Sequence, residues 1–309
     1  AEEFAEEYEE GRLSRREALQ VITSVTGSVV LANSFLAACT PPPTEATPEG
    51  TDSAAAASAT PTTEEAPRAS PTVEPDDPGI EAGPVSFPVG DDEVMAYLAR
   101  PSGSGPFPVV LVSHENRGLT EHIRDVTRRL ADAGYVALAV DLLSRQGGSE
   151  TVGEASAPGA LGQIDPEQFA EDFIQGWQYL QEQPYADTDR VGMVGFCFGG
   201  GVTWLVATRM PELKAAVPFY GPHPPVEEVP NINAPVLGIY AENDGRINQG
   251  ITAIEEAMAA NNKIYEKIIY PDADHAFHND TGSRYVPEAA MDAWQQTLAW
   301  FDEYLKDES

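Results

Sequence analysis

Cysteine is nearly missing from this chain: Cys39 and Cys197 are the only two in 309 residues. A paired-thiol redox centre normally needs a second sulfur close by, so a lone internal cysteine argues against that chemistry. Positive charge is also scarce. Lys and Arg number 18 against 50 Asp and Glu, for a formal charge of -32. A folded surface of that sign repels phosphate over a Debye length, which argues against binding nucleic acid or an anionic membrane. The acidity otherwise reads as a well-solvated surface. Beyond the first 40 residues, no segment approaches the roughly 18 consecutive apolar residues of a membrane-spanning helix. No internal repeat is visible. What remains is a chain long enough for one large domain with appendages, and its composition beyond about residue 80 is ordinary for a globular protein.

Residues 1–39 are unlike the rest. "LSRREALQ" sets Arg15 and Arg16 after Ser14, ahead of a mildly apolar run from Ala18 to Ala38. That is the arrangement of a twin-arginine export signal, although the glutamate-rich start departs from the usual basic leader. The run closes in "LAAC", which resembles the lipobox of bacterial lipoproteins, with Cys39 as the residue that would receive lipid. The other readings are a membrane span and a buried helix, and the run is weakly hydrophobic for either. Residues 40–79 are Pro, Thr, Ala, Ser and Glu with too little apolar surface to offset the entropy of ordering them. They are expected to form a flexible tether of about 35 Å r.m.s. reach. The signal implies an extracytoplasmic protein whose only membrane contact is a lipidated N-terminus.

From residue 80 to 309 the pattern alternates. "VSFPVGDDEVMAYLARP" predicts an antiparallel hairpin about its Gly-Asp-Asp turn. "PVVLVSH" and "YVALAVDLL" are buried strands around an amphipathic helix, "EHIRDVTRRLADAG", closed by Gly134. A further helix starts at Asp165-Pro166 and spaces Phe169, Phe173, Trp177 and Leu180 along one face. "RVGMVGF", "KAAVPFYG", "PVLGIYAEND" and "IYEKIIYPDA" supply four more strands. Parallel strands separated by helices predict an α/β fold of the α/β-hydrolase kind, a mostly parallel sheet with helices on both faces and ligands at the carboxyl ends of the strands.

"GFCFG", Gly195 to Gly199, then reads as a nucleophile elbow with Cys197 in the place where Ser is commoner. The sharp strand-to-helix turn strains the nucleophile's backbone, and flanking glycines avoid clashes between the crossing segments. Taken alone, a buried structural Cys beside a tight glycine turn remains open. The order of an α/β-hydrolase triad puts an acid after a late strand and a His after the next. Asp244 in "LGIYAENDGRI" and His275 in "IIYPDADHAFHND" stand in those places. Asp244 is also a good turn-capping residue. His278 forms no close ligand cluster with His275, so it reads as a surface or loop-bonding residue, with no metal or other cofactor expected.

From about Val85 to the end, "GFCFGG", "AENDGRI" and "DADHAFHND", in that order, resemble the dienelactone hydrolase family. The resemblance implies hydrolysis of a lactone or ester by a Cys-His-Asp triad, with Cys197 as nucleophile, Asp244 as acid and His275 as base. It also implies Glu115 of "LVSHENRGL" as the carboxylate that helps form the thiolate, and the Asn116 and Phe198 amides as oxyanion donors. A carboxylate paired with Arg117 or capping its loop is the plainer reading of Glu115. The family holds the substrate's carboxylate with arginines, one of them shortly after the base His, where this chain has Asn279. Arg145 in "DLLSRQGG" and Arg284 in "TGSRY" are the remaining candidates for binding substrate. The resemblance therefore specifies an ester or lactone hydrolase more firmly than a carboxylate-bearing substrate. A catalytically silent lipoprotein of the same fold, binding a small ligand, is the other class of function open to this sequence. The sequence does not specify the oligomeric state.

Overall fold

The first hairpin forms where the alternation and its turn require it. β1 (Ile80–Val89) pairs antiparallel with β2 (Asp92–Pro101), Val89 opposite Asp92. Gly90 closes the turn at φ 61°, a left-handed conformation that costs glycine nothing. The apolar runs become β3 (Phe107–Ser113), β4 (Val136–Val140), β5 (Ala186–Phe196), β6 (Ala215–Phe219), β7 (Val236–Ala241) and β8 (Tyr265–Tyr270). The longer helices are α1 (Glu121–Asp132), α2 (Pro166–Gln181), α3 (Phe198–Arg209), α4 (Ile251–Ala260) and α5 (Pro287–Leu305). This computed structural model describes residues 72–306, which fall within one unit, Arg68–Ser309. The signal, Cys39 and nearly all of the predicted tether lie outside the described residues.

The eight strands form one sheet in the order β1-β2-β4-β3-β5-β6-β7-β8, parallel from β4 onward. Successive side chains on a strand face opposite sides, so each buried strand feeds two cores. Leu111, Leu138 and Met193 pack on the side of α2 and α3, with Phe169, Phe173 and Trp204. Val110, Val112 and Phe196 pack on the other side with Ile123 and Leu130 of α1 and Phe301 of α5. Asp165 caps α2 as its sequence position implies, its carboxylate accepting from the Glu167 amide at 3.0 Å. Trp177 is only half-buried, because Gly176 takes the tight place on that face, against Phe87 and Leu138.

The domain's contacts begin before residue 80. Val73 is buried, its amide donates to Asp125 Oδ1 at 2.9 Å, and its carbonyl accepts from Arg128 Nε. Asp125 and Arg128 are themselves buried on α1, so the strap residues satisfy charged groups that water cannot easily reach. A chain starting at residue 80 should therefore unfold at lower denaturant than one starting at residue 72. The expected difference is about 1–3 kcal/mol, the cost of leaving buried polar groups without partners. Urea melts of the two chains measure it.

Candidate active site

The site is built at the end of β5. Cys197 has φ 58° and ψ -118°, a strained backbone for a residue with a Cβ, and the α3 helix begins at the next residue. The turn is held because neighbouring backbones come closer than any side chain would allow. A Cβ on Gly195 would lie 2.1 Å from the Gly199 carbonyl oxygen, and one on Gly199 would lie 2.5 Å from those of Ser113 and His114. A Cβ on Gly200 would meet the Phe219 oxygen at 2.4 Å. The glycines thus seat the start of α3 directly on the ends of β3 and β6. The Cys197 amide donates to the Phe219 carbonyl at 3.0 Å, which fixes the turn to β6 as well. Phe198 opens the helix, so its amide has no intrahelical acceptor and lies at the positive end of the helix dipole. Cys197 is buried and in no disulfide.

Asp244 and His275, at the ends of β7 and β8, are brought together. His275 Nδ1 donates to Asp244 Oδ2 at 2.6 Å, and both side chains are almost wholly buried. Burial opposes charge on Asp244, but the His275 hydrogen bond and charge, Arg246 and the Ile247 amide together hold its carboxyl below the usual range. Their loops are laced to each other: Asn243 donates from its amide to the Ala273 carbonyl and from Nδ2 to Asp274, and the Asp272 amide donates to Glu242. With Nδ1 committed to Asp244, Nε2 is the basic nitrogen of His275, and it is buried without a hydrogen-bond partner among the described residues. The Tyr220 ring lies 4.9 Å from the His275 ring, centroid to centroid, with the Tyr220 backbone at φ 35°. Burial first, then the Glu115 and Cys197 charges, keep the Tyr220 phenol protonated. Sequence reasoning passed over this residue, whose only mark was its place just after β6.

Glu115 and Asn116 follow β3 and are both buried. Their loop is held by His114, which the sequence did not single out. His114 Nε2 accepts from the Leu142 amide at 3.2 Å, so Nδ1 carries the proton and donates to the Glu115 carbonyl at 2.7 Å. This arrangement requires a neutral ring, and burial lowers the His114 pKa accordingly. The Glu115 carboxylate accepts from Asn279 Nδ2 at 2.5 Å. Arg117 approaches Glu154 at 3.8 Å. Asn279, marked in the sequence only as a departure from the family's arginine, is thus the residue that positions Glu115.

Beneath the His275 loop runs a buried chain of charge. Asp280 accepts from Arg129 at 2.6 Å and pairs with His122 Nδ1 at 2.9 Å, and Arg129 also binds Asp125, the anchor of Val73. His278 corrects the sequence reading: it is fully buried, not a surface or loop-bonding residue. It packs on Phe196, Phe219 and Trp294, and its ring nitrogens lack hydrogen-bond partners among the described residues. Burial, followed by the His122 and Arg129 charges, keeps it neutral. Arg145 is engaged by Asp172 at 2.9 Å and Asp92 at 2.7 Å, so its charge is already matched within the protein. Arg284 is close enough to Tyr220 to act on its phenol.

A strained Cys at the end of a central parallel strand, with a buried Asp-His pair supplied after the last two strands, is the architecture of the α/β hydrolases. The dienelactone hydrolase family model matches residues 94–305, and the chain belongs to that family. It is 39% identical over 254 residues to an Escherichia coli K12 protein provisionally named carboxymethylenebutenolidase, covering 77% of this chain and 93% of that one. A similarly named protein of Methylorubrum extorquens is 38% identical over 246 residues, covering 75% of this chain and 84% of that one. A crystal structure from Klebsiella pneumoniae, provisionally described as a dienelactone hydrolase, superposes with a TM-score of 0.69 at 37% identity. The match covers 73% of this chain and 99% of that one. The protein is thus a dienelactone-hydrolase-like hydrolase, of the lactone and ester class.

The charged chain beneath the His275 loop has a pH signature. Burial raises the Asp280 carboxyl, but hydrogen bonds from His122 and Arg129 outweigh it and hold the group well below its usual range. A lowered folded pKa stabilises the fold above the unfolded value of about 4, and that stabilisation is lost as pH falls through the lower folded value. Asp280→Asn should cost about 3 kcal/mol at pH 7 by leaving Arg129 underpaired. Thermal melts from pH 7 downward should show the gap between wild type and variant holding to about pH 5 and narrowing below about pH 4.

Proposed function

We propose that this protein hydrolyses a carboxylic ester or lactone with Cys197 as nucleophile, His275 as base and Asp244 as its orienting partner. The observation that carries this reading is the 2.6 Å hydrogen bond from His275 to Asp244, which leaves Nε2 as the basic nitrogen. The Cys197 sulfur, as thiolate, attacks the carbonyl carbon, and the oxygen that gains charge is met by the Asn116 and Phe198 amides. Collapse expels the alcohol oxygen, which takes up the proton given up by the Cys197 thiol, and leaves a thioester on Cys197. Water, deprotonated by His275, then attacks the thioester. The acid leaves, and the released thiolate takes the proton back from His275, which restores the resting thiol and the neutral base. With a lactone the alcohol stays attached and the product is a hydroxy acid.

A free thiol has a pKa of about 8.5, so the thiolate must be formed on demand. Glu115 is proposed to accept the thiol proton when substrate redirects it from Asn279, since a fixed anion beside the thiol would hold the proton on sulfur. Asn279 offers no cation for a substrate carboxylate, and Arg145 is already matched by Asp172 and Asp92. A neutral ester or lactone fits this balance best.

The same reading extends to the N-terminus, where we infer export by the twin-arginine route and lipid attachment at Cys39. Its support is the sequence from Ser14 to Cys39. Replacing Arg15 and Arg16 by Lys should block export, and Cys39→Ser should release the protein from membrane fractions. Unchanged fractionation in both variants would contradict it.

Cys197→Ala and His275→Ala should each lower kcat/KM for a chromogenic short-chain ester at least about a hundredfold, with the melting temperature little changed. Glu115→Gln should lower kcat while leaving the affinity for an unreactive ester analogue near that of the wild type. Wild-type rates in Cys197→Ala would remove the covalent mechanism and favour a protein that only binds its ligand.

A further inference from the structure

One face of α3 leads away from the nucleophile. Phe198, Gly201, Leu205 and Arg209 lie along it at helical spacing, over roughly 16 Å at 1.5 Å per residue. A groove of about 450 Å³ follows this face, walled by Phe169 of α2 and by the prolines 222, 224 and 225 after β6. It starts beside the proposed chemistry. Phe198 is the residue after Cys197 and its ring meets Phe169 edge-on at 5.2 Å, and Pro222 is two residues from Tyr220. Gly201 keeps it open there, because a Cβ would stand 2.7 Å from Pro222 Cγ.

The lining is apolar along its length and anionic at its far end. His223 is held to Tyr240 by a 2.9 Å hydrogen bond, and burial pushes its pKa down to about 4, so it carries no charge at neutral pH. Arg209 is the only cation among the described lining residues. Its guanidinium is shared by Glu167 at 2.7 Å and Glu228 at 2.6 Å. Those two carboxylates are kept ionised by Arg209, leaving a net negative end. An anionic ligand would find no unmatched positive charge here and would meet repulsion.

We propose that this groove holds the apolar chain of a neutral ester substrate, with the reacting carbonyl at Cys197 and the chain laid along α3 towards Arg209. This assignment rests on the hydrolase reading above. Each methylene moved from water into an apolar groove is worth roughly a three- to fourfold gain in binding. The chain could belong to the acyl or the alcohol side of the ester, and two substrate series separate these: p-nitrophenyl esters from acetate to octanoate, and acetate esters of ethanol to hexanol.

In one of the two series kcat/KM should rise at least about tenfold over four added methylenes. Adding a carboxylate to the end of the same chain should abolish the gain. Leu205→Trp, which fills the groove midway, should lower the ratio of long-chain to short-chain kcat/KM about tenfold. The wild-type chain-length profile decides the matter even where that variant does not fold. A flat profile in both series with hydrolysis intact, or a preference for the carboxylate-ended chain, overturns the groove assignment alone. Failure to hydrolyse any ester in either series overturns the hydrolase reading and this assignment with it.

Discussion

Everything chemical in this protein depends on one steric constraint, the close crossing of backbones at the turn from β5 into α3. Gly195, Gly199 and Gly200 let the helix start sit against the carbonyl ends of β3 and β6, at separations where any Cβ would fall within 2.5 Å of backbone oxygen. The result is Cys197 held at positive φ, with a helix N-terminus at its back and the ends of the two neighbouring strands, β3 and β6, beside it. Strain at Cys197 is tolerated because packing on both sheet faces determines where the turn must lie. Val194 and Phe196 are buried in the same core as Val112, Val217 and Phe219, so the turn has no room to relax.

Around that turn, the groups proposed to move protons are positioned by residues that do not. His114 fixes the Glu115 backbone, Asn279 fixes its carboxylate, Asp244 fixes His275, and the Asp280-Arg129-His122 chain underlies the His275 loop. That chain reaches Val73 through Asp125, so the strap before β1 and the loop carrying His275 share one buried ionic cluster. Buried charges of this kind cost desolvation and repay it only when fully paired.

The sequence was most legible where function and fold share a local signal. The strands were continuous apolar runs, the hairpin had its glycine turn, and Cys197, Asp244 and His275 appeared in order at strand ends. What it did not reveal were the partners. Asn279 meets Glu115 across 164 positions, Asp280 meets His122 across 158, and Asp125 reaches Val73 across 52. No local pattern marks such pairs. For the same reason Arg145 looked available although Asp92 and Asp172 hold it, and His278 looked like a loop residue although aromatic rings enclose it. The domain's start was placed at 80 because Val73 is one apolar residue in a polar tract, and its burial follows only from α1.

The central claim is that acyl transfer passes through the sulfur of Cys197. It is tested most directly by mixing the protein with an activated ester, quenching within the first turnover in acid and weighing the intact protein and its peptides by mass spectrometry. A mass gain equal to the acyl group, located on the peptide containing Cys197 and reversed on longer incubation, is the result this account predicts. Turnover of the ester with no covalent acyl group on that peptide at any time point, or with acyl transfer to another residue, would contradict it.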